Sequence, residues 1–288
     1  MLHSMTGFAR QAAECAVGTL TWELRSVNHR FLDVQFRLPD ELRPSEADLR
    51  QQITAKLHRG KIDAQLYFSR EQGADRPMQI DPEVAARLQA GIGTIEALFK
   101  DLRPLSALDV LRWPGVVAEP DVDEEPLLDA AQELLGEALV KLQEMRAAEG
   151  ARIAAMLRER CDEIEKIAAS VGARLPDVQL AVRNKLLERL AKLEEAADPG
   201  RIETELVLIA QKMDVAEELD RLRSHVTEIR SILQQGGPVG RRLDFLMQEL
   251  NREANTLGSK AADTETTGAA VDLKVLIEQM REQIQNVE

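Results

Sequence analysis

The fold of the second half of this chain is set by one stretch, Arg241-Arg-Leu-Asp-Phe-Leu-Met-Gln-Glu-Leu-Asn-Arg-Glu-Ala-Asn-Thr-Leu-Gly-Ser-Lys260. At helical spacing its apolar residues fall on a single stripe: Leu243, Met247, Leu250, Ala254 and Leu257. The opposite face carries a strip of carboxylate and amide side chains: Asp244, Gln248, Asn251 and Asn255. Asn is a poorer helix former than the Glu, Lys and Ala of an ordinary solvated face. The strip therefore indicates hydrogen bonding or metal binding, or else a polar interface between subunits.

The sequence from Leu127 onward has helical periodicity almost throughout. Breaks are predicted where Gly and Pro cluster, at residues 172–176, 198–200, 235–240 and 258–268. Between the second and third breaks, one helix is predicted from Ile202 to Leu233, with apolar residues at steps of three and four. Such a seam favours coiled-coil-like packing, within the chain or between chains.

The first part of the chain shows the alternation typical of strands. The pattern predicts strands over 2–14, 20–27 and 31–38, a helix over 44–57, a strand over 62–68 and a helix over 81–102. This βββαβα order favours a sheet covered by helices on one face, so the predicted class is α+β: an N-terminal sandwich-like domain followed by a mostly α domain of long amphipathic helices. The predicted divisions are an N-terminal domain at 1–118, a linker at 119–126, connecting helices at 127–200 and a C-terminal helical domain at 201–288.

Charge is distributed unevenly along the 288 residues. The formal net charge is −13, yet residues 1–120 hold 15 Lys and Arg against 16 Asp and Glu. A polyanionic substrate would therefore meet the N-terminal part, or cations bound by the C-terminal carboxylates. Cys15 and Cys161 lack zinc or redox spacing and are typical of reduced thiols. No apolar run reaches the length of a membrane span and no signal pattern begins the chain, so a cytoplasmic location is predicted.

A second charged group lies in Asp214-Val-Ala-Glu-Glu-Leu-Asp-Arg-Leu-Arg-Ser-His225. Asp214, Glu218, Arg221 and His225 recur at steps of four, three and four, which places them on one helix face beside Glu217. Carboxylates suit Mg²⁺ or Mn²⁺, Arg suits a phosphate, and His transfers protons near neutral pH. The alternative is structural, because Glu and Arg four residues apart commonly stabilise an exposed helix by about 0.3 kcal/mol.

Gly236-Gly237-Pro238 separates the two charged helices and permits them to fold back as a hairpin. Two facing acidic clusters need a cation between them to be stable. A site for Mg²⁺ or Mn²⁺ is therefore expected, with ligands from both helices: Asp214, Glu217, Glu218, Asp244, Glu249 and Glu253. No Walker loop, G-x-G-x-x-G or G-x-S-x-G motif occurs, so no nucleotide cofactor is expected.

The turn Arg25-Ser-Val-Asn-His-Arg30 joins two predicted strands and is basic. Basic hairpin turns suit the phosphate backbone of nucleic acid. The alternative is pairing of Arg25 and Arg30 with Glu23 and Asp33 across the strands. Few aromatic residues, Phe8 among them, lie nearby, so sequence-specific reading of single strands is not indicated. The predicted backbone contacts come from this turn, its neighbours and one residue of the last charged helix: Arg10, Arg25, Asn28, His29, Arg30, Arg59, Lys61 and Lys260.

Several motifs cover essentially the whole chain in order: Ser4-Met-Thr-Gly-Phe-Ala-Arg10, Glu23-Leu-Arg-Ser-Val-Asn-His-Arg-Phe-Leu-Asp33, Arg59-Gly-Lys61, 214–225, 242–260 and 271–288. Together they resemble the YicC/YloC family of bacterial proteins. The resemblance implies a cytoplasmic endoribonuclease that needs a divalent cation, assembles as a homohexamer and acts on RNA such as small regulatory RNAs. It assigns no role to individual residues.

The roles predicted for individual residues come from their chemistry. The predicted catalytic residues are His225 for proton transfer, Arg221 and Arg252 for neutralising the scissile phosphate, and Glu218 beside the cation. RNA products with 3′-hydroxyl ends would indicate attack by water, whereas 2′,3′-cyclic phosphates would indicate attack by the RNA 2′-hydroxyl. The rival hypothesis is a non-catalytic oligomeric scaffold that delivers RNA to another nuclease and uses the acidic faces as subunit contacts.

Overall fold

The computed structural model describes residues 2–15, 18–70, 79–99, 103, 105–117, 124–191, 199–212 and 214–288. Four strands form the N-terminal part together with a 3₁₀ helix and a short helix, in the order β1 (Gly7–Cys15), β2 (Gly18–Val27), β3 (Leu32–Arg37), 3₁₀ (Asp40–Ser45), α1 (Glu46–Lys56) and β4 (Gly60–Arg70). Helices follow from there, namely α2 (Pro82–Leu98), α3 (Ala107–Leu111), α4 (Glu124–Ala191), α5 (Pro199–Lys212), α6 (Ala216–Gln235), α7 (Gly240–Lys260) and α8 (Thr264–Ile284). The predicted α+β class and βββαβα order are confirmed.

The sheet has the strand order β1-β2-β4-β3. Strand β2 pairs antiparallel with β1 and β4, and β3 pairs parallel with β4 because α1 carries the chain across between them. Along β2, Leu20, Trp22 and Leu24 point into the core, with the period of two expected when one face is buried. The indole Nε1 of Trp22 donates a hydrogen bond to the Ala131 carbonyl at 2.9 Å, which fixes this face against α4.

Helix α4 serves both halves of the molecule. Its first part packs on the sheet through residues that include Leu135 and Leu142, and its middle part packs on α6 and α8. The predicted break at 172–176 is wrong, since α4 continues through Pro176. A proline removes one backbone hydrogen bond, and the packing of Val171 and Leu175 on the helical core keeps the helix intact there. Of the predicted linker, residues 119–123 lie outside the described residues, and 124–126 are the first turn of α4.

Helices α6, α7 and α8 pack with α4 into the second core. The break at Gly236-Gly237-Pro238 forms the predicted hairpin, with α6 packed against α7. The predicted continuous helix from Ile202 to Leu233 is wrong, because α5 ends at Lys212 and α6 begins at Ala216. The Asp214 carboxylate accepts a hydrogen bond from the Ala216 N–H at 3.0 Å, so this aspartate lies just before the N-cap residue Val215 and binds the first N–H of α6 from outside the helix.

The first and last segments of the chain lie side by side between the two cores. The Met5 N–H donates to the Asn286 carbonyl at 2.7 Å, and the Glu288 N–H donates to the His3 carbonyl at 2.9 Å. The buried Arg146 of α4 donates from Nε to the Ser4 carbonyl and from Nη2 to the Glu288 carboxylate, each at 2.6 Å. Among the helices that the structure describes, none is both long and apolar enough to cross a membrane.

Candidate active site

A ladder of polar contacts joins α6 to α7 along the predicted hairpin. From the open end toward the turn, it consists of Glu218 with Lys260, Arg221 with Glu253, and Glu228 with Arg242. Between the last two pairs, His225 lies within 4.8 Å of Glu249 and Glu253. The two helices run antiparallel from one short turn, so residues equally far from the turn face each other. The charged face predicted on α6 therefore meets α7, whereas the α7 strip from Asp244 to Asn255 is not part of the ladder.

The centre of this ladder holds the residues best placed to bind a metal ion. One ligand atom each from His225, Glu249 and Glu253 lies within 4.8 Å of the others, and in the described part of the chain no other group of three such residues does so. Glu253 is buried, and His225 and Glu249 are half-buried. Two carboxylates this close repel each other unless a cation or a proton lies between them. An imidazole with two carboxylates is a donor set that fits Mn²⁺ better than Mg²⁺, which prefers oxygen ligands alone.

Arg221 connects this cluster to the solvent-exposed side of α6. Its guanidinium contacts Glu217 at 2.5 Å and Glu253 at 3.5 Å. The charge of Glu217, followed by the hydrogen bond that Arg221 donates to Glu253, raises the pKa of Arg221 above its usual value. Arg221 therefore stays positive and offsets part of the negative charge of the cluster.

Glu218 lies about two turns before His225 on α6 and has a different partner. Its side chain is 8% exposed, and its Oε1 accepts a hydrogen bond from Lys260 Nζ at 2.8 Å. The same ammonium donates to the Asp214 backbone carbonyl at 2.8 Å. Lys260, predicted to bind RNA, thus closes the end of the α6–α7 hairpin. The second carboxylate oxygen of Glu218 is buried without a hydrogen-bond partner among the described residues.

The structure does not bring the remaining predicted metal ligands to the cluster. Asp244 is nine residues before Glu253 on α7, roughly 13 Å along the helix axis. Its carboxylate accepts a hydrogen bond from Gln248 at 3.0 Å and lies 3.7 Å from Arg281 of α8. The amide strip of α7 is partly satisfied within the helix, as Asn255 also donates to Asn251 at 3.4 Å. Asp214 and Glu217 are engaged by the start of α6 and by Arg221, and the predicted catalytic Arg252 is exposed on α7.

The predicted basic turn lies at the end of the sheet, next to the last turn of α8. Asn28 donates to the Gln285 carbonyl at 2.6 Å, and the Arg59 Nε donates to the His29 carbonyl at 3.1 Å. The Arg30 guanidinium lies 5.2 Å from the centre of the Phe31 ring. The alternative pairing of Arg25 and Arg30 with acidic neighbours is not formed among the described residues. Instead, Arg10 contacts Glu23 at 3.5 Å, and Arg25 and Arg30 are exposed, with Lys61 half-buried.

The basic turn lies near the start of α7, and the candidate metal ligands Glu249 and Glu253 lie further along the same helix. Gly240, the first residue of α7, lies against the Val287 carbonyl, close to the Gln285 carbonyl that Asn28 binds. From Gly240 to the middle of the cluster is about 16 Å along the helix axis. The sequence showed the carboxylates but not their pairing. The signal that would have found it is the distance of each residue from the Gly236-Gly237 turn.

Comparison with known proteins identifies the family of this chain. The family model described as "Endoribonuclease YicC-like, N-terminal region" matches residues 2–155, and that described as "Endoribonuclease YicC-like, C-terminal" matches residues 171–288. A protein of Haemophilus influenzae named "Probable endoribonuclease YicC" is 43% identical over 292 residues, and one of Clostridioides difficile with the same name is 32% identical over 300 residues. Both alignments cover 100% of each chain. Matches to both halves and over the full length show that the chain belongs to the YicC-like endoribonuclease family.

Proposed function

We propose that this protein is a divalent-metal-dependent endoribonuclease that cleaves RNA phosphodiester bonds, small regulatory RNAs among its substrates. The observation that carries the proposal is the convergence of His225, Glu249 and Glu253 on one point between α6 and α7. The names of the two relatives support RNA as the substrate.

The proposed metal ligands are His225, Glu249 and Glu253, with Mn²⁺ favoured over Mg²⁺. The bound cation would supply Lewis-acid stabilisation of the negative charge that develops on the phosphate. Arg221 restrains Glu253 from the solvent side, and Lys260 restrains Glu218. The exposed Arg252 follows the buried Glu253 directly in sequence and is the proposed contact to the scissile phosphate.

The basic turn is the proposed site at which the RNA backbone is held. Its contacts are Arg10, Arg25, Asn28, His29, Arg30, Arg59 and Lys61, of which Arg59 and Lys61 are half-buried and the others exposed. Gly240, near the α8 end that the turn contacts, is about 16 Å along α7 from the proposed metal site, a span that one RNA segment can cover.

Assembly as a homohexamer and a cytoplasmic location are proposed as well. Support for assembly comes from α2, which buries none of its residues. It leaves large apolar side chains open to solvent, with Ile95 47% and Leu98 70% exposed. A helix without a core of its own gains its stability from packing, which a second copy would supply. Sedimentation velocity gives the size of the assembly directly.

The proposed function is tested with Glu249→Gln, which removes one ligand without removing a partner of a buried charge. Asp244→Asn is the matched control, because it makes the same chemical change on the same helix outside the cluster. A labelled structured RNA is incubated with each protein in EDTA, Mg²⁺ or Mn²⁺, and Mn²⁺ binding is measured separately by electron paramagnetic resonance. We expect wild-type cleavage to require metal, and Glu249→Gln to lose at least about 100-fold in rate and in Mn²⁺ affinity.

The control outcomes separate this proposal from its rivals. Asp244→Asn is expected to cleave at close to the wild-type rate, and an equal loss in both variants would favour the wider ligand set predicted from the sequence. Cleavage that survives EDTA and Glu249→Gln would place the chemistry elsewhere. Tight RNA binding without any cleavage by the wild type would favour a non-catalytic scaffold. The chemical ends of the products, 3′-hydroxyl or 2′,3′-cyclic phosphate, distinguish attack by water from attack by the 2′-hydroxyl.

A further inference from the structure

The face of the sheet opposite α4 is open. Because side chains alternate along each strand, the residues between the buried ones of β2 point away from the core. None of the described helices packs on this second face. A cavity of about 750 Å³ lies over it, and its lining includes an aromatic, two cationic and two amide side chains: Phe8, Arg25, Arg37, Gln35 and Gln65.

Phe8 is the aromatic residue of this face and is 46% exposed. It lies on the edge strand β1, directly across from Arg25 of β2, which in turn lies across from Asp63 of β4. Tyr67 of β4 points to the same side and is also 46% exposed. Trp22, in contrast, is fully buried and cannot take part. An exposed ring flanked by a guanidinium is a surface on which a nucleic-acid base stacks.

The charges of the face complement a phosphate backbone. Arg25, Arg37 and Lys61 all line the cavity and make no salt bridge with any residue that the structure describes. Of the two acidic residues in the lining, Glu23 is bound by Arg10 at 3.5 Å, which leaves Asp63 as the opposing charge. Asp33, across from Lys61 on β3, is a second carboxylate on this face, so three cations without a described salt-bridge partner oppose two carboxylates. The face is thus locally cationic in a chain with a formal charge of −13.

We propose that the open sheet face binds unpaired RNA, with a base stacked on Phe8. Arg25, next to Phe8, binds the phosphate adjoining that base, and Arg37, on the opposite edge strand β3, binds the backbone further along the strand of RNA. The amides of Gln35 and Gln65, which both donate and accept hydrogen bonds, reach base edges. The bases of a duplex are stacked on one another and present no free ring face, so the site selects single-stranded segments. The basic turn continues this face at the end of the sheet. The inference rests on the proposed function, because the RNA held here is the substrate of the α6–α7 site.

Binding in EDTA tests this proposal independently of cleavage. Fluorescence anisotropy gives the Kd of a labelled unstructured single strand and of a duplex of equal length, for the wild type and for Phe8→Ala. We expect Phe8→Ala to raise the Kd for the single strand about tenfold and the Kd for the duplex less than about twofold. Phe8→Trp is expected to keep the affinity, and its added indole fluorescence is quenched when the single strand binds. Val271→Ala, which truncates a 54% exposed apolar side chain on α8, is the control and is expected to bind as the wild type does.

Each other outcome overturns the proposal in a recognisable way. If Phe8→Ala binds the single strand as tightly as the wild type does, and the wild type cleaves RNA, the sheet face is not the binding site and the proposed function is unaffected. A wild type that neither binds nor cleaves RNA removes the proposed function and this inference with it. If Phe8→Ala instead sediments as a smaller assembly than the wild type, the face is a contact between copies of the chain.

Discussion

Glu218 and Glu249 have the same side chain but differ in what surrounds them. The Glu218 carboxylate is nearly buried and is held by the Lys260 ammonium, because an unpaired charge in that position would be costly. Glu249 is half-buried and makes no salt bridge with any described residue, so its oxygens are available to a cation. Residue type alone made both glutamates candidates for metal binding. Because Glu218 is buried and paired with Lys260 whereas Glu249 is half-buried and unpaired among the described residues, Glu249 is the better candidate ligand.

The two cysteines are predicted to differ in reactivity. Burial raises the pKa of the Cys161 thiol to about 12, with the nearby Arg230 acting in the opposite direction, and its side chain has no exposed surface. Cys15 is half-buried near the end of β1 and donates to the Gly18 carbonyl. At pH 8 we expect iodoacetamide to modify Cys15 and leave Cys161 unmodified in the native protein, as read by peptide mass spectrometry.

Unfolding in denaturant provides the control for the cysteine labelling, because both thiols then react. Native labelling of Cys161 at the rate of Cys15 would contradict the packing of α4 against α6. The raised pKa of Cys161 also determines how this thiol makes the stability of the fold depend on pH. The folded state holds the Cys161 proton more tightly than the unfolded chain, so this contribution to stability is present below about pH 9 and is lost as the pH rises toward 12.

At the scale of elements, the sequence predicted the α6–α7 hairpin but not its register. Helical spacing tells which residues share a face of one helix, whereas the residue opposite each depends on the length of the turn. Asp244 lies roughly 140° around α7 from Glu249 and roughly 180° from Glu253, so it faces Arg281 of α8 and not α6. Asp214 was predicted on the helix, yet it precedes α6 and its carboxylate binds the Ala216 N–H, because a short acidic side chain competes for the first N–H groups of a helix.

The turn between α6 and α7 should be sensitive to substitution at Gly236. This residue has φ of 67° and ψ of −167°, a region that is essentially restricted to glycine. We expect Gly236→Ala to lower the free energy of unfolding by about 2 kcal/mol and to weaken Mn²⁺ binding, since His225 and Glu249 face each other only while the hairpin keeps its register. Chemical denaturation and electron paramagnetic resonance measure the two effects.

Gly268→Ala is the control for the turn. Gly268 lies inside α8 with open space where a Cβ would be added, so alanine should stabilise the protein by about 0.5–1 kcal/mol and leave metal binding unchanged. Loss of stability at Gly236 with full Mn²⁺ affinity would show that the cluster tolerates a shift of the hairpin and would weaken the proposed ligand assignment.

At the scale of the whole molecule, α4 and the paired terminal segments couple the two cores. Neither connection was visible in the sequence. The predicted domain plan divided the chain at 119–126 and 201, whereas α4 contributes to the sheet core and the helical core alike. Hydrogen bonds between the first and last residues depend on the folded positions of both ends, and helical or strand periodicity carries no information on such distant contacts.

The place where the N-terminal segment crosses α4 gives a prediction for the molecule as a whole. A Cβ added at Gly150 would lie 2.1 Å from the Leu2 carbonyl oxygen, a distance that forces backbone to move. Helix propensity alone would favour alanine over glycine by about 1 kcal/mol. We expect the clash to outweigh this, so that Gly150→Ala lowers the free energy of unfolding by about 2 kcal/mol or more in chemical denaturation followed by circular dichroism.

Gly136→Ala is the control for Gly150→Ala, because it tests the preference of a helix for alanine over glycine without the clash. Gly136 lies in the same helix, where an added Cβ would meet only the end of the flexible Gln52 side chain at 3.4 Å. Gly136→Ala should therefore stabilise the protein by up to about 1 kcal/mol. Opposite signs at the two glycines would demonstrate that the N-terminal segment is seated on α4 in solution. Stabilisation at both would mean that the segment leaves α4 readily, and that the cores are coupled by α4 alone.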